Sequence, residues 1–175
     1  MYDGFHKILE VRDKIKGKDV VRELVKFKDA VGAIMVDDKN RICLVTQYRP
    51  TIQKHVKEIP AGLLDKHGLT SIETLLEELK EECELNAEDL LYLGKDPVHE
   101  YHFNIGSSDA KIQLYFIKVK NSITYKTVDD ADVEYVEWIP FDDFEQMMIR
   151  GEIYDTKTII AYYWLKNNLK MMEEY

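Results

Sequence analysis

Between Thr70 and Glu84 the chain has little conformational choice. Ile72, Leu75, Leu76, Leu79 and Cys83 recur at i, i+3, i+4, i+7 and i+11, which lines one stripe of a helix and fixes the side that packs on a core. Thr70, followed three residues later by Glu73, forms a capping-box pattern that opens this helix. At about 100° per residue, Glu78, Glu81 and Glu82 fall within about a 100° arc of a different face, so their carboxylates can converge. Three like charges there are either fully solvated or gathered around a divalent cation, and spacing alone does not choose between these.

The remainder reads as strands and short helices. VVRELVKFK (20–28) suits a strand, and AVGAIMV (30–36) and RICLVTQY (41–48) flank the polar turn Asp38, Lys39, Asn40 as a hairpin. Pro50, Pro60, Gly62 and Gly68 punctuate the approach to the helix. Further strands are predicted at 90–94, 112–119 and 133–139, with a short helix from Pro140 to Gly151. A final helix is predicted over 156–172, capped by Asp155. The expected fold is α/β (α+β): a mixed sheet with helices covering its faces. Residues 1–28 are expected to form an N-terminal strand extension and 29–175 the main domain.

Composition narrows the partners. With 175 residues, 45% hydrophobic and 33% charged, the chain can bury one core but is short for two domains. A net charge of −9 offers no cationic face to nucleic acid or to an anionic membrane. The first 18 residues hold no apolar run long enough for a signal peptide or a span. Cys43 and Cys83 read as reduced packing residues, and a cytoplasmic location is the expectation.

In context the helix says more. Glu78, Leu79, Lys80, Glu81, Glu82 matches the E-U-x-E-E core of the Nudix box, G-x5-E-x7-R-E-U-x-E-E-x-G-U, where U is aliphatic. Gln47, Tyr48, Arg49, Pro50 and the run EIPAGLLD (58–65) resemble the ADP-ribose pyrophosphatase branch of the Nudix hydrolases. GSSDAKIQL (106–114) and GEIYDTKTIIA (151–161) are similar to that branch's later motifs, in the same order. The resemblance implies a Nudix-type mixed sheet between helices and Mg²⁺-dependent cleavage of a nucleoside diphosphate derivative, with ADP-ribose or a related nucleotide sugar leading. Mn²⁺ is a possible substitute for Mg²⁺. Glu78, Glu81, Glu82 and the backbone carbonyl of Ala61 are the implied metal ligands. Arg49, Glu58, Phe27 and Gly106 are the implied substrate contacts, although an aromatic such as Phe27 is also explained by packing. The general base is sought in the acidic run Asp129, Asp130, Asp132, Glu134, with Asp130 and Asp132 first. His99 and His102, at i, i+3, have no third ligand beside them and do not read as a metal site. The branch also implies a homodimer paired through its N-terminal strands.

Leu69, Glu77 and Glu84 stand where the box has Glu, Arg and Gly, the segment after Gly62 is one residue longer, and Ala110 replaces an expected Glu. These departures keep a second expectation open, a degenerate domain that binds a nucleotide without turnover.

Overall fold

The computed structural model describes residues 6–120, 125–126 and 133–173. Its centre is the hairpin of β3 (Ala30–Asp37) and β4 (Arg41–Arg49), both almost wholly buried. Strand β3 also pairs in parallel with β9 (Lys111–Val119), from Ala30 opposite Ile112 to Asp37 opposite Val119. Beyond β4 lie β11 (Val133–Pro140) and then β10 (Tyr125–Lys126), and beyond β9 lies β7 (Leu90–Leu93). Short strands extend this sheet: β5 (Lys54–Glu58) pairs with β4, β6 (Ala61–Leu63) with β3, and β8 (His99–His102) with β9.

Alternation along the central strands divides their side chains between two cores. Val31, Ala33 and Met35 of β3 join Cys43, Val45 and Tyr115 on one face, where helix α1 (Ser71–Cys83) packs through Leu75, Leu79 and Cys83. Full burial of Leu75 and Leu79 contributes about 2 kcal/mol each. Ile34, Val36, Ile42, Leu44 and Phe116 point to the other face. There they meet Phe144 of α2 (Phe141–Ile149), Leu165 of α3 (Thr156–Asn167) and Met172 of α4 (Leu169–Glu173). The mixed sheet between helices is the architecture expected.

The helix ends follow the sequence signals. Thr70 Oγ1 accepts from Glu73 N–H at 3.3 Å while the Glu73 carboxylate accepts from Thr70 N–H at 2.8 Å, a closed capping box. Asp155 accepts from Thr158 N–H at 2.9 Å and caps α3. The C-cap of α1 is Glu84 at φ 51, the left-handed conformation that favours glycine, at the position where the Nudix box carries one. The single final helix expected over 156–172 is instead broken at Asn168, whose φ and ψ of −131° and 36° leave the helical region before α4 begins.

The N-terminal strand has a partner that the sequence reading did not supply. Strand β1 (Lys7–Ile15) pairs antiparallel with β2 (Lys18–Lys26) in a separate two-stranded sheet, turning at Lys16 and Gly17, both at positive φ. Val25 N–H donates to the Ser107 carbonyl at 2.7 Å and Lys26 pairs with Asp109 at 2.5 Å, which tethers the hairpin to the body. No helix among the described residues is long and apolar enough to cross a membrane.

Candidate active site

The strand and helix ends around Gly62 bring the carboxylates together. Strand β6 lies beside β3 with Gly62 opposite Val31, and the lack of a side chain at Gly62 admits Glu78, whose Cγ and Cδ occupy the space a Cβ would need. Glu78, Glu81 and Glu82 of α1 then line one cleft of about 530 Å³ with Asp65, and Gln47, Arg49 and Lys157 share its lining. The face predicted from helical spacing is therefore assembled, but its members differ in setting. Glu82 is buried, its two oxygens accepting from Gln47 Nε2 at 3.2 Å and Ala61 N–H at 3.1 Å. Burial raises the Glu78 carboxyl above its ordinary value. Glu81 is the most exposed of the three.

A cation already stands beside two of them, Glu78 and Glu81. The Lys66 ammonium lies 3.0 Å from Glu77, 3.4 Å from Glu78 and 3.3 Å from Glu81. Burial alone would lower Lys66, but these carboxylates hold it above the ordinary lysine value. No three His, Cys, Asp or Glu side chains among the described residues form a ready-made metal cage. Mg²⁺ does not require one, since it binds through one or two carboxylates and completes its octahedron with water and phosphate oxygens. The oxygens that converge on the Lys66 ammonium are hard, anionic donors of the kind such a cation takes, so the residues present fit it.

A cationic wall adjoins the acidic one. Arg49 donates to Glu58 from Nε and Nη2, each at 2.6 Å, and Lys157 donates to the same carboxylate at 2.5 Å. Burial alone would raise Glu58, yet these two cations hold its carboxyl below the ordinary value. The hydrogen bonds that Arg49 donates to Glu58 in turn raise Arg49. Glu58 is 3% exposed and thus acts as a buried anchor behind Arg49 and Lys157, while the Arg49 side chain is 46% exposed. Lys157 also pairs with Asp155 at 3.2 Å.

A second cavity of about 280 Å³ adjoins the cleft, the two sharing Ala30, Leu63, Ile112 and Lys157 in their linings. His6, Phe27, Tyr101 and Phe103 give it an aromatic wall. Phe27 meets His6 edge to face at 4.5 Å between centroids and Phe103 at 5.6 Å. Thus Phe27, although engaged in packing, also lines a pocket.

Not every candidate joins this constellation. Gly106 sits in an exposed turn after Phe103 and lines neither cavity. Asp129, Asp130 and Asp132 lie outside the described residues, and Glu134 is exposed and pairs with His55 at 2.9 Å. His102 Nδ1 lies 3.0 Å from the Asp109 carbonyl, and His99 stacks on Tyr101, so both rings have structural occupations. Lys66, Gln47 and Lys157 are site residues that sequence reasoning did not single out. Two of them sit inside motifs that carried the resemblance, QYRP and GEIYDTKTIIA, and that position was the available signal.

An acidic helix face is thus opposed by anchored cations at the rim of a mixed sheet. The NUDIX domain matches residues 26–159, and the chain belongs to the Nudix hydrolase family as a Nudix pyrophosphohydrolase. It is 33% identical over 152 residues to the Methanol dehydrogenase activator of Bacillus methanolicus, covering 86% of this chain and 78% of that one. It is 30% identical over 152 residues to the ADP-ribose pyrophosphatase of Bacillus subtilis (strain 168), with the same coverage. With the ADP-ribose pyrophosphatase of Mycobacterium tuberculosis it shares 31% identity over 156 residues, covering 85% of this chain and 71% of that one.

Proposed function

We propose that the chain hydrolyses the pyrophosphate bond of a nucleoside diphosphate derivative, with ADP-ribose or a related nucleotide sugar the leading substrate, to a nucleoside monophosphate and a sugar phosphate. The observation that carries this reading is the continuity of an acid-and-cation cleft with an aromatic pocket. A diphosphate with a planar base at one end needs both. The names of the two ADP-ribose pyrophosphatase relatives support the same substrate class.

In this reading Glu78, Glu81, Glu82 and the Ala61 carbonyl hold Mg²⁺, for which Mn²⁺ can substitute. When bound, that ion supplies charge neutralisation at the phosphate oxygens and activation of water. Arg49, kept in place by its fork onto Glu58, turns its exposed edge toward phosphate oxygens. Phe27 and Phe103 wall the base. The proton of the attacking water goes to a carboxylate of the 129–134 run, with Asp130 and Asp132 the candidates. Glu58 acts through Arg49.

The protein is further proposed to be a homodimer. Leu9, Leu24, Val11, Val20 and Ile15 share one face of the β1–β2 hairpin, and Leu9, Val11 and Ile15 are each more than 40% exposed. A two-stranded hairpin is marginal alone in water, and a second copy would cover this face.

A second reading, nucleotide binding without turnover, draws on the hold of Glu77, Glu78 and Glu81 on Lys66. One experiment separates the two: incubation of the purified protein with a panel of nucleoside diphosphate derivatives in Mg²⁺ or excess chelator, with products resolved by chromatography. Conversion of ADP-ribose to AMP and ribose phosphate that stops with chelator is expected. Tight binding of every panel member with no product formed would replace hydrolysis by binding.

A further inference from the structure

Gln47 is a polar residue in an apolar row. Its strand partners across β4 are Val56 on one side and Val133 on the other, both buried, and Gln47 itself is only 6% exposed. A buried amide costs free energy unless its hydrogen bonds are made. Gln47 Oε1 is buried with no partner, and Nε2 donates to Glu82 Oε1 at 3.2 Å. An ionised carboxylate only accepts, so the NH₂ end of the amide must face it. The second Glu82 oxygen accepts from Ala61 N–H, and these two donors from separate strands fix the rotation of the carboxylate about its own axis.

We propose that Gln47 is a positioning residue whose amide, together with Ala61 N–H, sets the orientation of the Glu82 carboxylate at the cleft. This rests on the proposed role of Glu82 as a metal ligand. Partners of this kind set the affinity of the ligand they orient, and their loss weakens metal binding by about tenfold or more.

The test is Mn²⁺ titration followed by electron paramagnetic resonance, with Mn²⁺ as the sole probe and thermal midpoints as the check on folding. The proteins are wild type, Gln47→Met, Gln47→Leu, Glu82→Gln and the Gln47→Met, Glu82→Gln double variant. The valine neighbours make both aliphatic substitutions compatible with the core. Gln47→Met and Gln47→Leu are expected to stay folded and bind Mn²⁺ about tenfold more weakly. The double variant should bind no more weakly than Glu82→Gln alone, because Gln47 acts through Glu82. Unchanged Mn²⁺ affinity in a folded Gln47 variant overturns the inference, as does a further additive loss in the double variant. Loss of folding in both aliphatic variants would make Gln47 a structural residue and equally overturn it. Absence of Mn²⁺ binding by the wild type would remove the metal reading itself, and this inference with it.

Discussion

Gly62 and Glu78 share one volume: the space a Cβ would fill on the glycine is taken by the Cγ and Cδ of the glutamate. Gly62→Ala must therefore displace Glu78. The displaced atoms are the far end of a flexible side chain, so the fold should survive with a thermal midpoint near that of the wild type. A misplacement of about 1 Å in a catalytic constellation costs on the order of a hundredfold, and kcat should fall by about that factor. Near-normal kcat in a folded Gly62→Ala protein would show that Glu78 need not stand where it does.

The two remaining helix carboxylates are expected to be individually indispensable. Glu81→Gln or Glu82→Gln should cut turnover by at least about a hundredfold with the circular dichroism spectrum unchanged. Wild-type turnover by both at saturating Mg²⁺ would remove the metal role from this helix.

Lys66 pairs with Glu77, Glu78 and Glu81, and in the proposed role of this face it would compete with a divalent ion. Lys66→Met should raise Mn²⁺ affinity by about tenfold, read by calorimetry, and should lower the thermal midpoint of the metal-free protein by exposing Glu77, Glu78 and Glu81 to mutual repulsion. Equal affinity in both proteins would mean that the ammonium leaves the cleft without cost.

Glu58 supplies an acid limb to the stability profile. Its folded pKa lies below the ordinary value of 4.5 because Arg49 and Lys157 outweigh burial. The unfolded chain therefore takes up the proton first as pH falls. The stabilisation is complete above pH 4.5 and disappears as pH drops through the lower folded value. Glu58→Gln should cost about 2 kcal/mol at neutral pH and flatten the fall in thermal midpoint below pH 4.5. Parallel wild-type and variant curves across that range would assign the acid limb to other carboxylates.

Assembly is tested on the hairpin face. Leu9→Glu with Val11→Glu should convert a dimer to a monomer in light scattering and raise KM if the partner's segment closes the aromatic pocket. A wild-type mass of one chain at micromolar concentration is incompatible with the proposal.

What could be read in advance was local. Helix α1 is legible because its stripe and capping box lie within fifteen residues: the capping box closes and Leu75, Leu79 and Cys83 are buried, while Leu76 stays half-buried. Strand β5 was not: KHVKE is charged or polar at four of five positions, and it is a strand because β4 offers it an edge. β1 was missed for a related reason, since every one of its residues is exposed and no buried face imposes a period. In the site, Arg49 and the three glutamates came from motifs. Gln47 and Lys157 act through partners 35 and 99 residues away, and such contacts leave no periodicity to read.

The parallel pairing of β3 with β9 joins segments about eighty residues apart, whereas β4, β5, β6 and α1 follow one another directly along the chain. Closing the longer loop costs entropy before its contacts repay it. The hairpins and helix that carry the carboxylates can form by short-range steps. The aromatic pocket, which needs Ile112 of β9 beside Ala30 of β3, waits on the long-range one. The acidic wall is therefore expected to form early in folding and the aromatic pocket late, an order that pulse-labelled hydrogen exchange on α1 and β9 would read directly.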